Sequence, residues 1–143
     1  MIAYVLDASV AAKWFLPAAH ETLADEAMRV LDAYAAGQLR LLVPDLFWPE
    51  FGNILWRAVR SGRISRESAE KAIASLTERN LSTVDSASLV KDAFTIAAAF
   101  DRTVYDGTFA ALAIAANAPL LTADERLANT LAARFPILWL GAI

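Results

Sequence analysis

Four acidic residues stand in apolar surroundings. Asp7 closes the run Val-Leu-Asp-Ala-Ser, and Glu50 sits in Leu-Phe-Trp-Pro-Glu-Phe. Asp106 lies in Val-Tyr-Asp-Gly-Thr, and Asp124 in Leu-Leu-Thr-Ala-Asp-Glu. Carboxylates gathered in one crevice repel one another and lose hydration, at a cost of several kcal/mol, unless a cation offsets them. An oxygen-only ligand set selects a hard divalent ion, Mg2+ or Mn2+. Such an ion can activate water and neutralise phosphate, which suits phosphodiester hydrolysis. Other chemistries are excluded by composition. With no Cys and the single histidine His20, there is no thiol nucleophile, no disulfide scaffold and no site built on two imidazoles. Neither G-x-G-x-x-G nor G-x-x-x-x-G-K occurs, which counts against a nucleotide cofactor.

The elements that must position these acids follow from apolar spacing. Strands are expected at 2–6, 41–43, 81–84, 120–122 and 137–140, each short and apolar on both faces. Helices are expected at 9–16, 21–36, 47–60, 65–79, 87–100, 109–117 and 124–134. Pro17 stops the first helix, Gly37 follows the second, Pro49 lies in the first turn of the third, and Ser65 caps the fourth. Strands alternating with helices predict an α/β fold, a three-layer α/β/α domain with a short parallel sheet covered on both faces. In such a sheet, ligands sit at the carboxyl ends of the strands near the switch point, where Asp7 and Asp124 fall.

A chain of 143 residues fits a single domain over 1–143 and needs no staple to hold its core. Hydrophobic residues make up 57% and charged residues 20%, which argues against disorder. The net charge of −3 means that any nucleic-acid contact needs a local basic patch. The longest uncharged run, 107–123, contains Gly107, Asn117 and Pro119 and reads as a buried helix plus a strand, too short for a membrane span. With no leader segment visible, the expected location is the cytoplasm.

The stretches Tyr4-Val-Leu-Asp7-Ala-Ser9, Pro49-Glu50-Phe-Gly-Asn53, Val104-Tyr-Asp106-Gly-Thr and Leu121-Thr-Ala-Asp124-Glu-Arg-Leu127 resemble, in order, the four signature segments of PIN-domain ribonucleases. The resemblance is nearest to VapC-type toxins of bacterial toxin–antitoxin pairs and spans nearly the whole chain. It implies a metal-dependent endoribonuclease hydrolysing RNA through metal-activated water. Asp7, Glu50, Asp106 and Asp124 would be the catalytic and metal-holding acids, with Mg2+ or Mn2+ as cofactor. It also implies a homodimer, inhibited by a small VapB-like antitoxin that occupies the active-site groove. Gly107 departs from the pattern, because Ala or Ser is more usual there, and is expected to loosen the helix start.

Each residue also has a plainer role open to it. Asp7 or Asp106 can cap a helix, and Glu50 or Asp124 can complement a helix dipole, an effect of about 0.3–1 kcal/mol. Ser9 either bonds Asp7 or caps the following helix. Thr122 with Glu125 fits a capping box, Thr122 being also a candidate partner of the site. Asn53, three residues past Glu50, projects from the same helix face and can orient Glu50 or substrate. Arg57 lies two turns, about 11 Å, beyond Glu50 on that face. With Arg60, Arg63 and Arg66 it forms a basic stretch that either tracks an RNA backbone or is simply solvated. Tyr105 and the tryptophans Trp14, Trp48, Trp56 and Trp139 read as core, with Trp14, Phe15, Phe47 and Trp48 as alternatives for a partner groove. Two rival functions remain: a catalytically silent PIN-fold interaction module, and a Mg-dependent phosphatase-like enzyme. The second is weakened because no further acid follows Asp7 and because Lys13 and Lys91 lie within helices.

Overall fold

A computed structural model describes residues 1–143. Five strands, β1 (Ile2–Leu6), β2 (Leu39–Pro44), β3 (Ser82–Val84), β4 (Leu120–Thr122) and β5 (Ile137–Trp139), form one parallel sheet in the order β3-β2-β1-β4-β5. Seven α-helices flank it: α1 (Ala8–Ala12), α2 (Ala24–Ala35), α3 (Phe47–Arg60), α4 (Arg66–Glu78), α5 (Val90–Phe100), α6 (Val104–Ala116) and α7 (Glu125–Leu131). The α/β class and the parallel sheet expected from the strand–helix alternation are both present. Val5, Leu6, Leu120 and Leu121 have no exposed surface, because β1 and β4 are central strands covered on both faces. Val5 pairs with Leu120 on one side and Leu42 on the other. The chain therefore leaves β1 toward β2 and later returns to its opposite edge, which opens a crevice at the carboxyl ends of β1 and β4.

Several boundaries differ from the sequence expectation, each for a local reason. The helix expected over 9–16 ends at Ala12. Beyond it the amides of Trp14 and Phe15 bond the carbonyls of Ala11 and Ala12, three residues back, and the chain tightens toward Pro17. The helix expected over 21–36 starts at Ala24, after Leu23 adopts a left-handed backbone with φ 58°. The helix expected over 87–100 starts at Val90, following a separate 3₁₀ turn at Ser86–Ser88.

The largest difference is α6, which begins at Val104 rather than 109. Thr103 is its N-cap and accepts from the Asp106 amide at 3.0 Å, so Asp106 lies inside the first turn and is not the cap. Gly107 does not loosen this helix. It lets α6 pass against α5, since a Cβ there would meet the Ala93 carbonyl oxygen at 2.4 Å. One buried apolar cluster runs from Val5 to Leu140. Phe47 is stacked on Phe51, and Phe51 is met edge-on by Phe15, which locks α3 beside the loop after α1. No helix is long and apolar enough to cross a membrane.

Candidate active site

Asp7 is the best-anchored of the four acids. It leaves β1 with its amide bonded to the Leu121 carbonyl at 3.0 Å. Two hydroxyls donate to its Oδ2, Ser9 at 2.8 Å and Thr122 at 2.7 Å. Each hydroxyl is itself oriented by the turn after β4: Ser9 accepts from the Ala123 amide at 3.1 Å, and Thr122 from the Asp124 amide at 3.0 Å. The carboxylate is thus set by residues more than a hundred positions apart in sequence. Thr122 does not act in a capping box with Glu125. The cap of α7 is Asp124, whose Oδ1 accepts from the Leu127 amide at 3.1 Å. Ser9 likewise serves Asp7 and not the helix start.

Burial raises the Asp7 pKa most strongly, and the negative charge of Asp106 adds to it, against the lowering effect of the two hydroxyls. Glu50 projects from the first turn of α3 and is pushed up to about 7, first by burial and then by the charges of Asp7 and Asp106. Three of the four expected acids therefore feel one another across the crevice. Asp124 enters neither balance. It is exposed, caps α7, and joins the group through its amide and Thr122.

Asp106 is the one acid of the four with a cationic partner. Arg102 Nη2 lies 3.0 Å and its Nε 3.2 Å from Asp106 Oδ2. The donor set fits a hard divalent ion. Every group offers oxygen, and the upward shifts of Asp7 and Glu50 are what an added positive charge between them would reverse. In the described conformation no three acidic side chains converge at ligand distance from one point.

A family model for the PIN domain matches residues 4–131. The chain belongs to the PIN-domain family. It is 34% identical over 136 residues to Ribonuclease VapC3 of Pyrobaculum aerophilum, a match covering 94% of this chain and 95% of that one. Its fold superimposes on the crystal structure of Mycobacterium tuberculosis VapC20, described as a Sarcin-Ricin loop cleaving toxin. The TM-score is 0.69 at 18% identity, over 92% of this chain and 95% of that one. VapBC2 from Rickettsia felis, solved bound to a DNA fragment from its promoter, matches with a TM-score of 0.64 at 15% identity. That match covers 96% of this chain and 98% of the other.

The remaining residues divide around this PIN-domain crevice. Asn53 is exposed on α3 and makes no hydrogen bond to Glu50. Arg57 lines a cavity of about 280 Å³ together with Ser9, Lys13, Glu21, Arg63 and Asp124. The basic stretch is not a uniform patch. Arg63 is bonded to Glu21 and Arg66 to Glu70, while Arg60 lies 6.0 Å from the Trp56 ring, leaving Arg57 and Arg60 without an acidic partner. Two aromatic expectations are corrected. Tyr105 is 61% exposed, because α6 starts early enough to turn it outward. Trp56 is 55% exposed and lines an apolar groove of about 450 Å³ between α3 and α4 with Leu55, Val59, Ala69 and Ile73. Trp14 is instead tied inward to the Ala27 carbonyl, Trp48 is half-buried and donates to the Thr83 hydroxyl at the surface, and Phe47 is fully buried.

Sequence reasoning passes over Arg102 and the Lys13–Glu21–Arg63 cluster. The spacing of Arg102 four residues before Asp106 is a visible signal for the first. Nothing in sequence order brings Glu21 to Arg63.

Proposed function

We propose that this PIN domain is a divalent-metal-dependent endoribonuclease, the toxin partner of a small antitoxin protein. The carrying observation is the mutual electrostatic burden of Asp7, Glu50 and Asp106 at the switch-point crevice. Mutually perturbed acids gathered in one crevice are the mark of a functional site. Kinship with Ribonuclease VapC3 supports RNA as the substrate.

In this reading Asp7 and Asp106 hold Mg2+ or Mn2+, with Glu50 and Asp124 completing the acidic set. Such an ion supplies an activated water nucleophile and charge neutralisation at the phosphate. Ser9 and Thr122 fix the Asp7 carboxylate so that one of its oxygens is committed before substrate arrives. Glu50, held up to about 7 by burial and by the charges of Asp7 and Asp106, would ionise as a bound cation offsets those charges and so complete the acidic set. Arg57, at the edge of the same cavity as Asp124, contacts a neighbouring phosphate, and Asn53, exposed on the same helix, contacts substrate beside Glu50. The antitoxin occupies the active-site groove, and the likeness to VapBC2 from Rickettsia felis supports such a partner. The protein acts as a homodimer in the cytoplasm.

The test is cleavage of a mixed RNA pool by purified protein with Mg2+, with Mn2+ and with EDTA, beside Asp7→Asn. Metal-dependent cutting lost in the variant supports the reading. A variant as active as the parent removes Asp7 from the site. Metal-dependent cutting in neither protein, together with no Mn2+-induced rise in Tm, favours the silent interaction module.

A further inference from the structure

Arg102 is the only cation within 4.0 Å of any of the four acids. It sits in the connection between α5 and α6, just after Asp101, which ends α5 in a left-handed conformation with φ 53°. The next residue, Thr103, caps α6 and fixes the Asp106 backbone through its amide. The geometry leaves the Asp106 side chain one strong partner, the guanidinium four residues earlier. Both Nε and Nη2 converge on the single oxygen Oδ2 instead of spanning the two oxygens as a fork. The pair is partly shielded, with side-chain exposures of 25% for Arg102 and 31% for Asp106.

We propose that Arg102 is an internal competitor for the divalent ion: it holds Asp106 Oδ2 in the metal-free protein and, by drawing on the same carboxylate, weakens binding of an ion at the free Oδ1. The inference rests on the reading of Asp106 as a metal ligand. It accounts for two observations together. The acids carry uncompensated repulsion, yet the one bonded to a cation meets it through a single oxygen, and no three acids converge on one point. A permanent counter-ion at Asp7 or Glu50 would relieve more of that repulsion, but neither has one. Arg102 therefore partly neutralises the cluster without filling its centre. The ion pair and the ion draw on the same carboxylate, so each weakens the other by the same factor.

The test is calorimetric titration of Mn2+ into metal-free protein, wild type beside Arg102→Gln. Removing the competitor should tighten Mn2+ binding by about five-fold or more, the equivalent of a pair coupling of about 1 kcal/mol. The metal-free variant should melt slightly lower and gain more in Tm on Mn2+ addition than the parent. A second measurement uses the wild type alone. The Arg102 Nε–H resonance should be protected from exchange in the metal-free protein and exchange faster on saturation with Mg2+, as the ion weakens the pair. If wild type binds Mn2+ but Arg102→Gln binds it no more tightly, or if Mg2+ leaves the Nε–H exchange rate unchanged, the competitor role is wrong while the metal reading stands. If wild type binds no Mn2+ at all, both fall.

Discussion

Two charged regions lie within one small domain and are built on opposite plans. In the corner formed by the end of α1, the loop before α2 and the α3–α4 turn, Glu21 takes both Lys13 and Arg63. Lys13 also donates to the Thr22 carbonyl at 2.7 Å. The side chains of Lys13 and Glu21 are only 9% and 12% exposed, yet their charges are matched. In the crevice a short distance away, Asp7 and Glu50 have no cation at all, and Asp106 has only Arg102. A buried charge kept for architecture is paired, because an unpaired one costs several kcal/mol. A cluster left unpaired holds free energy that a bound cation releases. The contrast locates function more sharply than cavity size, since the apolar groove along α3 and α4 is larger than the cavity beside Asp124.

The sharpest way to break this comparison is to remove charge from the crevice. Asp7→Asn is expected to reduce RNA cleavage by at least about 100-fold, because it alters the proposed ligand itself and not merely its support. Its Tm without metal should be unchanged or higher, since repulsion is relieved. Cleavage rate and melting, read together, check both halves. In the paired corner the opposite holds. Glu21→Gln strands two partly buried cations and should cost roughly 3 kcal/mol of stability in denaturant melts. The Mn2+-induced rise in Tm should survive.

A smaller effect comes from moving Asp106 without touching its charge. Gly107→Ala forces α6 away from the Ala93 carbonyl, at a cost of about 1–3 kcal/mol. It should weaken Mn2+ binding along with stability, and thermal melts with and without Mn2+ measure both. The smallest effect is the pH dependence of the metal-free protein. Glu50 titrates at about 7 when folded, against 4.5 ordinarily, so the folded state keeps a proton that the unfolded state loses between those values. Its stabilising contribution is fully present below pH 4.5 and is lost as the pH rises through 7. Partial exposure reduces this to the order of 1 kcal/mol. Melts should slope downward across that range for wild type, less steeply for Glu50→Gln, in which Asp7 keeps its own raised pKa, and flatten with saturating Mn2+.

Much of the fold and of the crevice is legible in the order of residues. The apolar runs ending at Asp7 and Thr122 specify central strands, and strand–helix alternation specifies a parallel sheet with its crevice at their carboxyl ends. The apolar context of Asp7, Glu50, Asp106 and Asp124 marks them as acids needing a reason. Local rules fail where tertiary contact overrides them. Gly107 reads as a weak helix start, but the helix begins at Val104 and the glycine serves the crossing with α5. Thr122 and Glu125 match a capping box, but the hydroxyl is used on Asp7, 115 residues away. Tyr105 reads as core and faces outward.

By itself the sequence determined the class of fold, the order of its elements and the chemical nature of the site, because periodicity, strand ends and ligand type are properties of short segments. Only the tertiary structure decided which acids act on one another, which cation holds Asp106, and which basic residues are already matched. Those are properties of distance and burial. Whether Glu21 meets Arg63, or Thr122 meets Asp7, depends on how the layers close, and no spacing along the chain encodes that.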